Sequence, residues 1–383
     1  MVSTNSNKPT YEEYIEKPLE RFDQKNEAFK RARWDDALVP AGKKFYGIHE
    51  PQTRPGFTRL DYALHEASWY LERGFARGTL GPNYGLFSWQ SVDPKLTSSL
   101  PEGRIEVQDP LLMARQVKKV AKLCGADLVG ICAVDPRWFY SHIFNLRTRE
   151  HTPFEPPTEC TSAIVMAHAM DYEMTKSSPT LVASSTTGFG YSMMAYGAGL
   201  MGHFLRGLGY KAIPCGNDTA LSIPLAVDAG LGELGRNGLL ITEKYGPRVR
   251  LSKVFTDLPL AHDKPVNLGV QAFCETCKKC ASTCSAQAIL DGDRITDRRS
   301  ISNNPGMAKW PVDAEKCFSF WSQNGSSCMT CIRACPFNKV PGKIHDMTRW
   351  TIKKTTAFNK FFVWVDDLFD YGKKESAAKF WEE

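Results

Sequence analysis

Cys274-Glu-Thr-Cys277-Lys-Lys-Cys280-Ala-Ser-Thr-Cys284 and Cys328-Met-Thr-Cys331-Ile-Arg-Ala-Cys335-Pro336 carry the most specific spacing in the chain. The first reads C-x2-C-x2-C-x3-C; the second repeats its last part, and Cys317 stands 11 residues before Cys328. This is the two-cluster ferredoxin spacing. Two-residue gaps let one loop wrap three thiolates around a cubane, and the last cysteine of each group reaches the other cluster. The spacing assigns Cys274, Cys277, Cys280 and Cys335 to one [4Fe–4S] cluster. Cys284, Cys317, Cys328 and Cys331 hold the second. Tetrahedral zinc also takes cysteine pairs, but C-x2-C-x2-C is not a zinc spacing. Ser285 stands where proline often follows the fourth cysteine, and this removes no ligand.

Of the 12 cysteines in 383 residues, 8 lie in this late segment, a distribution that argues for metal rather than for a disulfide scaffold. The remaining Cys124, Cys132, Cys160 and Cys215 have no ligand spacing and read as small core residues. Hydrophobic residues make up 42% and charged ones 23%, which excludes a disordered or collagen-like chain. A net charge of +6 is too mild to call for nucleic acid. The uncharged stretch Ser177–Leu205 is long enough to span a bilayer, but its first half is Ser, Thr, Pro and Gly, so no membrane span is expected. Residues 3–9 are polar, without an apolar stretch or a twin arginine, so the expectation is a soluble protein or a mature form whose targeting peptide has been removed.

Outward from the cysteines, residues 1–115 form an irregular helical unit. Pro40, Pro51, Pro55, Pro82, Pro94, Pro101 and Pro110 punctuate it, and Trp69, Tyr70, Phe87 and Trp89 enrich it in aromatics. Residues 116–268 form a mixed α/β core, entered through a helix over 111–123. Strands are expected at 127–134, 163–169, 212–214, 239–242 and 250–255, with a small-residue helix over 191–208. The cysteine segment, 269–340, is rich in turns and poor in helical pattern. In the tail, 341–383, Phe358, Phe361, Phe362, Val365, Leu368 and Phe369 recur at helical spacing, as a packed helix or a docking face.

Gly230, Gly232 and Gly235 match G-x-G-x-x-G, with Asp257 22 residues on. A dinucleotide site needs a buried strand before the motif and a helix opening on it. Pro224 and Asp228 spoil the strand, and Arg236-Asn-Gly-Leu-Leu reads as a turn and a strand. A glycine-rich bed that lets backbone approach a large flat cofactor, with Asn237 beside it, is the expectation.

Gly190-Tyr-Ser, Leu208-Gly-Tyr-Lys-Ala-Ile-Pro-Cys-Gly-Asn217, Ala229-Gly-Leu-Gly-Glu-Leu-Gly-Arg-Asn-Gly-Leu-Leu and Tyr245-Gly-Pro-Arg-Val-Arg250 follow one another. Together with Phe255-Thr-Asp-Leu-Pro-Leu they resemble the catalytic subunit of respiratory reductive dehalogenases. The likeness runs from about residue 115 to 340 and includes both cysteine groups. It implies an α+β protein: a nitroreductase-like core holding a base-off corrinoid, beside a ferredoxin-like domain with two [4Fe–4S] clusters. No histidine has an aspartate two residues before it, so the cobalamin motif Asp-x-His-x-x-Gly is absent, as the resemblance requires.

The resemblance also implies Tyr191 as proton donor, with Arg250 tuning it and Asn217 orienting it or the substrate. A free tyrosine titrates at about 10, and a neighbouring guanidinium is expected to lower that value. Electrons would pass through both clusters to cobalt, a small chlorinated organohalide would lose halide, and Tyr191 would supply the proton. Phe87 and Trp89 would wall the substrate pocket or pack in the core. The implied setting is anaerobic organohalide respiration at the outer face of the cytoplasmic membrane. The implied partners are a quinol-linked or reduced-carrier electron donor and a small membrane-anchor protein, without nucleic acid. Alternatives are a cytoplasmic epoxyqueuosine reductase-like tRNA-modifying enzyme and a ferredoxin-type electron carrier.

Overall fold

In a computed structural model, residues 10–76, 85–90 and 103–382 are described; Pro82, Pro94 and Pro101 lie outside them. The leading part contains the short helices α1 (Ala28–Arg31), α2 (Val39–Phe45) and α3 (Arg59–Ser68), and a π-helical turn at Glu72–Ala76. The strands are β1 (Leu128–Ala133), β2 (His142–Phe144), β3 (His151–Pro153), β4 (Ser162–Ala169), β5 (Ala212–Cys215), β6 (Glu233–Leu234), β7 (Leu240–Ile241) and β8 (Val249–Thr256). Among them run α4 (Pro110–Leu123), α5 (Tyr172–Lys176), α6 (Leu181–Gly207) and α7 (Ser222–Asp228). The cysteine segment holds α8 (Val270–Cys277), α9 (Lys279–Ser282), α10 (Ala314–Asn324) and α11 (Thr330–Arg333). The tail holds α12 (Lys343–Lys354), α13 (Asn359–Leu368) and α14 (Ala377–Glu382).

The central sheet has the order β1-β4-β8-β5 and is antiparallel throughout. Alternation along β4 divides the core. Ala163, Val165 and Ala167 face one side, with Trp138, Phe139 and α7; Ile164 and Met166 face the other, with α4 and α6. Tyr11 and Tyr14 pack into the first of these clusters, so the leading segment is tied to the core. Cys124, Cys132, Cys160 and Cys215 are all buried.

The structure adds to the sequence reading at three places. α6 starts at Leu181, ten residues before the expected start, because Thr180 caps it and its Ser/Thr-rich first turns are buried. Ser184 Oγ lies 2.7 Å from Ser327 Oγ, in the segment just before Cys328. Packing there outweighs the weak helix propensity of these residues. The stretch 222–228 is helix, with Pro224 in the first turn, where a missing N–H costs nothing. The cysteine segment contains an 11-residue helix, α10, capped by Asp313 and packed through Phe318 on Ala32 and Leu38.

Candidate functional site

Tyr191 lies on the sheet-facing side of α6. Its neighbour Gly190 lets the helix approach β8 closely: a Cβ there would stand 2.6 Å from Cγ of Arg250. On β8, Arg250 shares a face with Ser252 and Val254, so the strand aims it at the helix. Its guanidinium carbon is 5.6 Å from the Tyr191 ring centroid, and Nη2 donates to Thr187 Oγ1 at 3.1 Å, one turn earlier on α6. Asn217, in the loop after β5, donates from Nδ2 to Tyr191 Oη at 2.6 Å. Three elements thus bring Tyr191, Asn217 and Arg250 together.

The loop holding Asn217 is fixed from below. Buried Lys253 on β8 donates from Nζ to the carbonyls of Gly216 at 2.5 Å and Asp218 at 3.2 Å. Tyr140 donates to the Asn217 carbonyl at 2.9 Å, and its oxygen meets Glu27 Oε1 at 2.5 Å. Burial pushes the Glu27 carboxyl up, against the lowering by Lys30 and by the Tyr140 hydroxyl.

Sequence reasoning missed two neighbours. Trp69, just beyond α3, stacks on Tyr191 with centroids 5.0 Å apart and planes at 28°. Glu72, in the π-helical turn, is pushed up to about 8, by burial first and by Asp218 second. Such turns concentrate at functional sites, but nothing in sequence periodicity signals one. Phe87 and Trp89 instead pack in the two cores: Phe87 is buried, and Trp89 meets Phe154 edge-on at 5.5 Å.

Tyr191 titrates above its ordinary value, against the expected lowering by Arg250. Burial is the largest influence; Arg250, and then the Asn217 hydrogen bond, lower the value without overcoming it. The phenol is therefore held protonated. Among the described residues, buried His65 Nδ1, Trp69 Nε1, Glu72 Oε2 and Arg250 Nε have no hydrogen-bond partner. Unpaired buried polar atoms are costly, and these fit a site shaped for polar groups brought by a cofactor and a substrate.

The glycine motif stands apart from this triad. Gly230 has φ +73, and a Cβ there would stand 2.5 Å from the Lys264 carbonyl. Cβ atoms at Gly232 and Gly235 would strike Ile241 across the β6–β7 hairpin. Their missing side chains serve the chain's own packing, and only their backbone is left to meet a cofactor. Gly230 also lines an open cavity of about 830 Å³ with Asp127, Lys244, Arg349 and Trp350; Tyr191, Asn217 and Arg250 do not line it. Asn237, buried with Nδ2 unpartnered, lines a small cavity beside Cys274, Cys277, Cys280 and Cys335.

The eight late cysteines converge in two groups. Charge on Cys274, Cys335, Cys331 and Cys277 bears on Cys280, while charge on Cys328, Cys317, Cys284 and Cys335 bears on Cys331, so the two groups adjoin through Cys280, Cys331 and Cys335. Burial first, with neighbouring sulfur charge adding to it, raises the thiols of Cys277, Cys280, Cys317 and Cys331; Cys277 and Cys317 reach about 12. Several thiolates can share such a place only with a thiophilic cation among them, and this donor set and spacing fit iron–sulfur clusters. Backbone N–H groups of Ala288 and Thr330 point at Cys284 Sγ at 3.4 Å and Cys328 Sγ at 3.5 Å. Cys331 packs with Met170, Ala183 and Met329, and Met170 Sδ lies 4.0 Å from the Thr187 hydroxyl that Arg250 contacts. Cys274 and Cys277 pack instead with Phe273, Ile352 and Phe362, under α12 and α13. Buried Arg236, also missed, ties this region together by donating to the carbonyls of Cys274 at 3.0 Å and Leu290 at 2.7 Å.

Residues 273–338 match the 4Fe-4S double cluster binding domain family. The tetrachloroethene reductive dehalogenase of Dehalobacter restrictus is 38% identical over 358 residues, covering 77% of this chain and 65% of the relative. That of Sulfurospirillum multivorans is 34% identical over 359 residues, covering 85% of this chain and 71% of the relative. The chain thus spans a little under two thirds of the Dehalobacter relative's length. A solved reductive dehalogenase, for which a mechanism of B12-dependent dehalogenation is suggested, superposes with a TM-score of 0.74 at 24% identity. That match covers 94% of this chain and 48% of the other. An epoxyqueuosine reductase of Lactococcus garvieae is 30% identical over 119 residues, covering only 31% of this chain.

Proposed function

This chain belongs to the reductive dehalogenase family, and from that membership we propose that it removes halide from a small organohalide, replacing it with hydrogen. The balance is two electrons and one proton in, one halide out. The observation that carries the reading is Tyr191, held protonated by burial, bonded to Asn217 and set beside Arg250. A corrinoid, when bound, would supply the two-electron chemistry at cobalt. Arg250, Trp69 and Glu72, with unpartnered polar atoms near Tyr191, are the side chains proposed to meet the corrinoid and substrate. The backbone of Gly230, Gly232 and Gly235 and the amide of Asn237 are proposed as further cofactor contacts.

In this reading Tyr191 donates its proton to the carbon that loses halide, and Asn217 fixes the hydroxyl's direction. Arg250 takes up the negative charge that develops on the departing halide, through the Nε that the protein leaves free. The phenolate left behind is costly in a buried site, and protonated Glu72 is suited to restore it. Cys284, Cys317, Cys328 and Cys331 hold the cluster nearer this chemistry, as the packing of Cys331 on Met170 supports. Cys274, Cys277, Cys280 and Cys335 hold the one nearer α12 and α13, where electrons enter from a quinol-linked or reduced carrier.

Respiratory use at a membrane is the finer part of the proposal. Among the described residues, no helix is long and apolar enough to cross a membrane. Support for peripheral attachment, direct or through a small anchor protein, comes from α12 and α13. They expose Ile344, Met347, Trp350, Phe361, Trp364 and Leu368, with Lys353, Lys354 and Lys360 alongside. The division of the chain at residues 115, 268 and 340 belongs to the same proposal; α4 straddles the first boundary.

The test is halide release from chlorinated alkanes, alkenes and aromatics, under a strong reductant and without oxygen, after loading with iron, sulfide and corrinoid. Halide release with stoichiometric cobalt is the expected result. Iron uptake without cobalt binding and without halide release would leave an electron carrier instead.

A further inference from the structure

Away from the triad, the β2–β3 hairpin meets the segment just before α1, and the seam carries two histidines and an aspartate. In the hairpin, His142 pairs with Pro153 and Phe144 with His151, which puts both histidines on one face. Their rings stack with centroids 4.6 Å apart and planes at 29°. Across the seam, Asp23 Oδ1 lies 2.9 Å from His151 Nε2. One nitrogen of each imidazole and one oxygen of the carboxylate all fall within 4.8 Å of one another.

We propose that Asp23, His142 and His151 form a site for a divalent transition-metal ion, zinc being the best fit, that clamps the β2–β3 hairpin to the segment before α1. Two imidazoles and a carboxylate are a set that zinc accepts, with water as fourth ligand. Bonds of about 2.0–2.2 Å need ligand atoms about 3.3 Å apart, so the three must close from their present spread. All three sit at the edge of the molecule, where a short hairpin and a loop can move that far. Lys25 Nζ, 3.9 Å from Asp23 Oδ2, is the cation that the metal would displace.

The seam leads to the site. Phe22 O accepts from Ser141 N at 3.0 Å, Gln24 Oε1 from Phe144 N at 3.0 Å, and Lys30 Nζ donates to Phe144 O at 3.0 Å. Glu27, in the same segment, meets Tyr140, which holds the Asn217 carbonyl. Metal at the seam's outer end would thus stiffen the floor on which Asn217 rests, without touching the reacting atoms.

The experiment is equilibrium dialysis of the holoenzyme, clusters and corrinoid loaded, against micromolar free zinc. Wild type is compared with the His142→Ala/His151→Ala double variant and with Asp23→Asn. The expected result is one additional zinc per chain in the wild type, with unchanged iron and cobalt. In the double variant the zinc is lost, and in Asp23→Asn it binds about tenfold or more weaker. Zinc should raise the unfolding temperature most in the wild type, less in Asp23→Asn and not at all in the double variant. Equal zinc in wild type and double variant, or no stoichiometric zinc in the wild type, overturns the proposal. The wild-type arm alone decides if the double variant does not fold.

Discussion

At Tyr191, burial and a guanidinium pull in opposite directions, and burial prevails. This has a pH consequence. An acid titrating above its ordinary value of about 10 stays protonated across the neutral and mildly alkaline range. Halide release should therefore show no loss attributable to Tyr191 below pH of about 10. Replacing Asn217 with alanine removes the 2.6 Å bond to the hydroxyl. The expected cost is about tenfold or more in kcat, with little change in KM, as for a positioning group; steady-state rates at matched cobalt content check it. Glu72 gives a stability prediction. Its carboxyl binds a proton more tightly in the folded state, about 8 against an ordinary 4.5. Its contribution is fully present below the unfolded value and is lost as pH rises through about 8. Glu72→Gln should thus flatten the fall in unfolding temperature between pH 5 and 9, and thermal melts at both ends measure it. The triad was legible in the sequence because its spacing accompanies a long resemblance. Trp69 and Glu72 were not, since a stacked indole and a buried carboxylate depend on where a loop returns.

At the level of elements, β1, β4, β5 and β8 were readable because apolar runs between turn signals mark buried strands. The early turns of α6 were not, because Ser184, Ser185, Thr186 and Thr187 are weak helix formers and only burial makes them helical. The same helix depends on small residues at its contact with β8. Gly190→Ala would push a methyl to within 2.6 Å of Arg250 Cγ. The expected result is a loss of about 1–3 kcal/mol in stability and a displaced Arg250; denaturant unfolding and halide assays together would detect both. The glycine motif at Gly230, Gly232 and Gly235 shows the limit of motif reading. Its spacing matches a nucleotide loop, while close packing of Gly230 on the Lys264 carbonyl and of Gly232 and Gly235 on Ile241 accounts for its glycines.

For the whole molecule, the proposed electron path runs from the cysteine group packed under α12 and α13, through the group that packs on Met170, to Tyr191. The groups were fully legible as spacing. Their order in space was not, because it depends on Cys331 packing under Met170 and on Phe273 packing under Ile352. If α12 and α13 form the attachment face, Phe361→Glu/Trp364→Glu should abolish cosedimentation with anionic vesicles. Halide release with a soluble reductant should be unchanged. Retained vesicle binding would move the attachment elsewhere.

The most direct test of the account is Tyr191→Phe, prepared with iron and cobalt contents equal to those of the wild type and assayed for halide release under a strong reductant. The account predicts a fall of about 10²–10⁴ in rate with both cofactors retained. An unchanged rate in the loaded variant would contradict it.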